Sequence, residues 1–323
     1  MAGAVMYRYL AARVGQAAAV LLGAYTATFV GIQLLPGDPI TNFLSSGESP
    51  LPEESIQVMK AYYGYDKPIV EQFFSQLGGV FQGNVGYSFV SGREVTAELG
   101  RAIGPTLELT AAAIVLAFLI ALAIVTTTAL TQHTKLREIV SNIPPFIAGI
   151  PSFWLGLVVL QFLSFRLRVM SIFPDGSVLS LLVPATILGL YLSAPLAQVM
   201  VKAVDNAQRQ PFVTVLRAKG ASESRIYFRH LLKYTAGSAI TILGLLLGGL
   251  IAGTVVTETV FSRQGVGQVL AKAVTHQDLA LVQGFVVLFA AVYVVINLVV
   301  DLLYPLLDPR IALSTERAGE RTV

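Results

Sequence analysis

The sequence predicts an all-α membrane protein, and three observations carry that prediction. Hydrophobic residues make up 54% of the 323 and charged residues only 13%, against about 25% charged in a typical soluble domain. Mean hydropathy is +0.70. Six runs lack charge altogether over roughly the 20 residues that a spanning helix needs. They cover 14–36, 109–132, 139–165, 176–201, 234–257 and 279–300, lengths that suit tilted helices and not barrel strands of about 9–11 alternating residues.

The first run follows Arg8 and Arg13. It is longer than the roughly 7–15 apolar residues of a secretory signal and ends without a small-x-small cleavage site, so it is read as a retained helix. Residues 40–104 then form a long segment with helix-like pieces at 52–63 and 69–81 and many turn glycines. Pro151, Pro184 and Pro195 fall in the third and fourth runs, where tolerated kinks are the simplest reading. The fifth run holds Gly244-x-x-x-Gly248 and Gly249-x-x-x-Gly253. Small residues at this spacing let helix backbones approach closely, which favours packing against a partner membrane subunit over lining a pore.

Orientation follows from the loops. With a cytoplasmic N-terminus, the inside segments hold Arg8, Arg13, Lys135, Arg137, the basic 202–233 loop, Arg310, Arg317 and Arg321, most of the 22 Lys and Arg. The positive-inside rule then places both termini in the cytoplasm. The expected organisation is a first transmembrane helix (1–39), an extracytoplasmic segment (40–104), a core of five further spans (105–311) with its cytoplasmic loop at 202–233, and a tail (312–323).

Several functions are excluded. There are no cysteines. His133, His230 and His276 have no paired ligand spacing, so no metal site is expected. No G-x-x-x-x-G-K-[ST] run exists to cradle ATP phosphates, and no nucleophile and base converge within the spans as a membrane hydrolase would require. No catalytic residue is therefore assigned. An ion-driven secondary transporter is the main alternative to an ATP-driven one. It would show internal repeats and interrupted midplane helices, and no convincing repeat is seen. Glu108, Glu258 and Asp301 stand at span ends, where carboxylates reach water. Asn297 and Asp301 share a face at i, i+4. Gln161 and Gln198 are better placed in depth, and with Asn297 they are the candidate pathway residues. Trp154 reads as a packing or interface aromatic.

The 202–233 loop carries more than charge. Pro211 suits the first turn of a helix and Gly220 its left-handed stop. Ser222 can cap a second helix running toward Lys233, with Glu223 near its positive end. A basic loop touching lipid headgroups would also satisfy the charge pattern. Phe212, Val213, Arg217, Ala218, Lys219, Gly220, Ser222 and Glu223, however, match a pattern. This segment resembles the coupling ("EAA") loop of ABC importer permeases, in the form found in the dipeptide/oligopeptide/nickel subfamily.

Other stretches resemble the same subfamily: Leu34–Pro39 (LLPGDP), Pro151–Gly156 (PSFWLG), Glu258–Phe261, Gly265-x-Gly267, Asp301–Tyr304 and Asp308–Arg310. The long segment with Gly83–Ser88 and Ser91–Arg93 resembles the first of the two paired permeases. Two departures are visible. Asp205–Gln208 replaces a stretch often more basic and hydroxylated, and Gln264 follows Arg263 where Trp-Pro is common.

The resemblance implies a type I ABC importer permease fold with six transmembrane helices in a bacterial inner membrane. It implies a second homologous permease, two ATP-binding subunits that carry ATP and Mg, and an extracytoplasmic solute-binding protein. No cofactor bound by this chain and no nucleic-acid partner is expected. Closure of the ATPases would move the Phe212–Gly220 helix as a rigid element, with Arg217 and Lys219 paired to acidic groups on the groove rim. Dipeptides, longer peptides, nickel or metal chelates are the cargo that the resemblance allows.

Overall fold

The computed structural model describes residues 2–34, 40–41 and 53–307, without the side chains of 2–12, 14, 53, 55, 247–248, 251–252 and 296–307. Leu35–Pro39, Asp308–Arg310 and the 312–323 tail therefore lie outside the described residues. The described chain is helical, with a single isolated β-bridge between Tyr87 and Glu94. The helices are α1 (Ala2–Gln33), α2 (Glu53–Tyr63), α3 (Ile69–Phe81), α4 (Val95–Leu130), α5 (Thr134–Ala148) and α6 (Ser152–Leu160), the last running into a π-helical turn, Gln161–Arg166. There follow α7 (Val178–Gln208), α8 (Pro211–Ala218), α9 (Glu223–Ile226), a second π-helical turn (Tyr227–Leu231), α10 (Leu232–Val260), α11 (Val266–Thr275) and α12 (Leu279–Leu307).

The chain divides into two compact units, one of residues 1–105 and 264–295, the other of 106–263 and 296–323. In the first, Val95 and Ala102 of α4 pack with Val266 and Ala273 of α11 and Leu281, Val282 and Phe285 of α12. The two short helices expected at 52–63 and 69–81 are present as α2 and α3. The loop after α3 is tied to the start of α12. Ser88 Oγ donates to Asp278 Oδ2, and Asp278 Oδ1 accepts from the Leu281 backbone N–H at 3.2 Å. Asp278 thus caps α12, satisfying an orphan donor of the first turn.

In the second unit α4 and α7 meet along small residues. Ala113, Ala117 and Ala121 are buried on α4, and Ala185, Gly189, Ser193 and Ala197 are buried on α7. Both series repeat every four residues, one face of a helix. A Cβ added at Gly189 would lie 2.8 Å from the Ala113 carbonyl oxygen, so the two backbones meet at that point. Pro184 and Pro195 are carried inside α7, a continuous helix of 31 residues.

Polar contacts mark the two ends of this unit. At one end Thr106 Oγ1 donates to Glu258 Oε1 at 2.6 Å, Arg263 Nη1 donates to the Ser180 carbonyl at 2.9 Å, and Arg263 stands 3.8 Å from Glu108. At the other, the hydroxyls of Thr126 and Tyr227 lie 2.9 Å apart and Arg137 pairs with Asp205 at 2.9 Å. Thr106 and Thr126 are separated along α4 by about 30 Å at 1.5 Å per residue, which is about the thickness of a hydrocarbon core.

The third apolar run differs from the single span expected over 139–165. It is two helices, 134–148 and 152–166, bent by 98° at the break. Gly149 and Pro151 supply the reason: Pro151 cannot donate a backbone hydrogen bond and restricts the residue before it to extended conformations. The break is anchored by the Tyr191 hydroxyl, which donates to the Ile150 carbonyl. Among the described residues three helices are long and apolar enough to cross a membrane, or four if the bent pair is one span.

Candidate functional site

The segment between α7 and α10 is a short helix, a turn and a second helix, and each feature has a local cause. Pro211 opens α8 at a position where its missing N–H costs nothing. Gly220 stops the chain with φ +80°, a conformation open to glycine and strained for residues with a Cβ. Ser222 then caps α9, its side chain accepting from the Arg225 N–H at 3.4 Å. The helical run continues through the Tyr227–Leu231 turn into α10.

This unit is held from below and open above. Val213 is fully buried in the core that α4, α7 and α10 form around Val125, Val204, Ile226 and Leu231, with Leu216 and Ala221 packed against it. Phe212 stacks obliquely on Tyr234, ring centroids 6.1 Å apart. Thr214, Val215, Ala218, Lys219 and Gly220 are exposed, Val215 by 52%. An exposed valine beside a cation on a short, firmly seated helix is the arrangement a partner's groove can grip.

Arg217 is committed within the chain. Its Nε and Nη2 donate to the two carboxylate oxygens of Glu223 at 2.7 and 3.1 Å. This bidentate bond, the stronger geometry for an arginine–carboxylate pair, holds the Glu223 carboxyl below its ordinary range and pushes the guanidinium up. Within the chain Arg217 is thus already paired, with its side chain 47% exposed. Its acidic partner is Glu223, six residues on, and the ion pair closes the Gly220 turn. Lys219 remains on the exposed side.

The other residues singled out from the sequence are dispersed. Gln161 begins the π-helical turn after α6 and Gln198 lies on α7, both exposed. The side chains of Asn297 and Asp301 lie outside what is described, as do the surroundings of Gly248. Gly244 is half-buried. Gly249 and Gly253 behave differently from each other. A Cβ at Gly253 would lie 2.9 Å from Leu188 Cδ1, so this glycine serves packing against α7 of the same chain, whereas nothing lies within 4 Å of one at Gly249. Trp154 and Phe153 are both about half exposed, at 51% and 53%.

Two polar groups were missed or misplaced by sequence reasoning. Glu258 is completely buried and does not reach water. It lies with Arg263, itself 6% exposed, near Thr106, Ser180 and Glu108. The signal was the proximity of an acid and an arginine across the helix end at 258–263. Asp278 and Ser88 are also fully buried. Here the legible sign was an Asp directly before an apolar run. Among the described residues no group of three His, Cys, Asp or Glu is placed to hold a metal.

Comparison with known proteins fits this arrangement. Residues 113–313 match the model of the binding-protein-dependent transport system inner membrane component, and residues 6–110 match the N-terminal model of the same systems. A di/tripeptide transport system permease of Pseudomonas aeruginosa is 30% identical, covering 95% of this chain and 99% of the relative. A glutathione transport system permease of Pectobacterium atrosepticum is 29% identical over 90% and 94% of the two chains. A dipeptide transport system permease of Lactococcus lactis is 26% identical over 95% and 100%.

Proposed function

The chain belongs to the binding-protein-dependent transport system inner membrane component family, and on that premise, with its likeness to peptide permeases, we propose how it works. It forms half of the pathway for short peptides across a bacterial inner membrane. A second homologous permease supplies the other half, two ATP-binding subunits carry ATP and Mg, and an extracytoplasmic solute-binding protein delivers the cargo. The observation that carries this reading is the α8–Gly220–α9 unit, exposed on one side and buried at Val213 on the other. A partner that pushes on Val215 and Lys219 pushes on α4, α7 and α10 together, because Val213 is packed among them. A short motion of the partner becomes a rigid displacement of the helices.

Six spans with both termini in the cytoplasm fit the polar ends of the second unit. Arg137 at the start of α5 pairs with Asp205 at the end of α7, which supports one side for the 131–137 and 202–233 segments. Gly156 of α6 packs on Val260 and Phe261, at the end of the unit marked by Glu258 and Arg263. The bent pair therefore runs from one polar end to the other and counts as a crossing in this reading, not as a re-entrant loop. Lys135, Arg137 and the basic loop then share the cytoplasmic side.

For cargo, the relatives' names favour di- and tripeptides or glutathione over nickel or a metal chelate. The test is uptake by the chain reconstituted with its second permease, ATPase subunits and binding protein. Di- and tripeptide uptake that needs ATP and survives collapse of ion gradients is expected. Uptake that follows an ion gradient without ATP would replace this reading with a secondary transporter.

A further inference from the structure

Helix α3 has three faces of different chemistry, and one of them has no partner among the described residues. At 100° per residue, Val70, Phe74, Leu77 and Phe81 fall within an arc of about 60°. Val70, Phe74 and Phe81 are 68%, 65% and 77% exposed. Glu71 and Ser75, also exposed, lie about 100° around the helix. On the remaining side Phe73 packs against Tyr25 and Phe29 of α1, with ring centroids 5.5 and 5.2 Å apart, and Gln72 accepts a hydrogen bond from Gln33 at 3.3 Å.

Those contacts fix the depth of α3 along α1. The apolar stretch of α1 suited to crossing a membrane is Gly15–Gln33. Phe29 and Tyr25 lie about 6 and 12 Å back from its end at Gln33. A helix lying in a membrane interface buries its apolar face about 5–10 Å below the headgroups. The open arc of α3 thus stands at the level of acyl chains, and at that depth a surface not covered by protein meets lipid. Val20, Leu22 and Val30 of α1 are open as well, at 45%, 42% and 46%, so the two neighbouring helices both present apolar side chains outward. Glu71, in an ion pair with Lys67 at 3.1 Å, lies on the arc suited to the headgroup side.

We infer that α3 is an interfacial helix, its Val70–Phe74–Phe81 face immersed in the acyl chains of the leaflet around the Gln33 end of α1. The helix anchors the long 40–104 segment to the bilayer between its attachments to α1 and α4. The inference rests on the proposed reading in which α1 spans the membrane.

The chain has no cysteine, so single substitutions give labelling sites unique within it, and the other subunits are used as cysteine-free variants. Val70→Cys, Phe74→Cys, Phe81→Cys, Ser75→Cys and Val30→Cys would each be nitroxide-labelled in the complete transporter. The samples are reconstituted in phosphatidylethanolamine/phosphatidylglycerol vesicles and relaxed with oxygen and with a water-soluble nickel chelate. Labels at 70, 74 and 81 are expected to favour oxygen over nickel as the label at 30 does, with the ratio reversed at 75. Nickel access at 70, 74 and 81, with oxygen preference kept at 30, would overturn the inference and leave the span intact. Labels at the three sites closed to both relaxants would also overturn it, because a protein partner then covers the face. Nickel access at 30 would overturn the span assignment of α1 itself and the inference with it.

Discussion

Arg217 and Glu223 face each other across the turn at Gly220, joined by hydrogen bonds of 2.7 and 3.1 Å. Both side chains are about half exposed, and exposed pairs contribute only about 0.2–1 kcal/mol to stability. Their importance lies in fixing the angle between α8 and α9. Arg217→Glu is therefore expected to leave insertion intact while lowering peptide uptake per ATP hydrolysed. The double variant Arg217→Glu/Glu223→Arg is expected to restore it. Restoration distinguishes an internal clamp from a contact to the ATPase, which the swap would not repair. Glu223 is held below its ordinary range by the guanidinium, so the clamp is present above the unfolded-state pKa and is lost only as pH falls through the lower folded value. Coupling should then be flat across neutral pH, as uptake against pH would show.

Gly220 itself is expected to be intolerant. Its φ of +80° costs about 1–2 kcal/mol for a residue with a Cβ, although open space surrounds the position. Gly220→Ala should reduce coupling by straining the turn. Gly220→Asn, which tolerates the left-handed region better, should reduce it less. Gly220→Pro should uncouple ATP hydrolysis from uptake. Normal substrate-stimulated ATPase activity and uptake in the proline variant would remove the coupling role from this turn.

The order of helices and the form of the 211–223 loop were legible from the sequence because they follow from local chemistry: charge-free runs, a Pro that opens a helix, a Gly that ends one, a Ser that caps the next. The partners of individual polar residues were not legible, because contacts across the fold are set by which helices become neighbours. Glu258 stands where a span-end carboxylate is expected to reach water, yet α4 brings Thr106 against it. The Arg217–Glu223 pair was hidden as well, because Glu223 follows Arg217 only after a turn whose angle the sequence does not state. The bend at Gly149–Pro151 illustrates the same limit. Apolar composition continues through the break, and only the residues before and after Pro151 hint at a change of direction.

The small-residue contact between α4 and α7 gives a stability prediction that contrasts two glycines. Gly189→Ala places a methyl 2.8 Å from the Ala113 carbonyl oxygen, and backbone cannot move aside as a side chain tip can. Overpacking of this kind costs about 1–3 kcal/mol, so the variant's thermal midpoint in detergent should fall clearly. Gly249→Ala meets nothing within 4 Å and should leave the isolated chain unchanged or slightly firmer, since alanine favours the helix by up to about 1 kcal/mol. If Gly249 faces the second permease, Gly249→Leu should weaken co-purification of the pair while the isolated chain keeps its midpoint.

Thr106→Val tests the buried acid at the end of α10. The Thr106 hydroxyl donates to Glu258 at 2.6 Å, and Glu258 is fully buried. Removing a partner from a buried polar group costs about 1–3 kcal/mol, more when the group is charged. A lower thermal midpoint is expected, and Thr106→Ser, which keeps the donor, should recover most of the loss. A loss in the serine variant with little loss in the valine variant would assign the effect to the methyl contacts and not to the hydrogen bond.

Asp278 yields the clearest pH dependence. It lies outside the spans, fully buried at the start of α12. Burial pushes its carboxyl above the ordinary value of 3.8, against the opposing effects of the Ser88 hydrogen bond, the backbone donors and His276. A carboxyl raised in the folded state contributes stability that is fully present below the unfolded pKa and is lost as pH rises through the folded value. The loop around Ser88 should therefore be held more firmly on α12 in acid than at neutral pH. Amide hydrogen exchange of residues 86–92, compared between pH 4 and pH 7 after correction for intrinsic rates, should show greater protection at the lower pH. Asp278→Asn has no titrating carboxyl and keeps an oxygen to cap α12, so its protection should change little over the same interval. A wild-type loop better protected at neutral pH would reverse the sign and show that the charged carboxylate is the form that holds it.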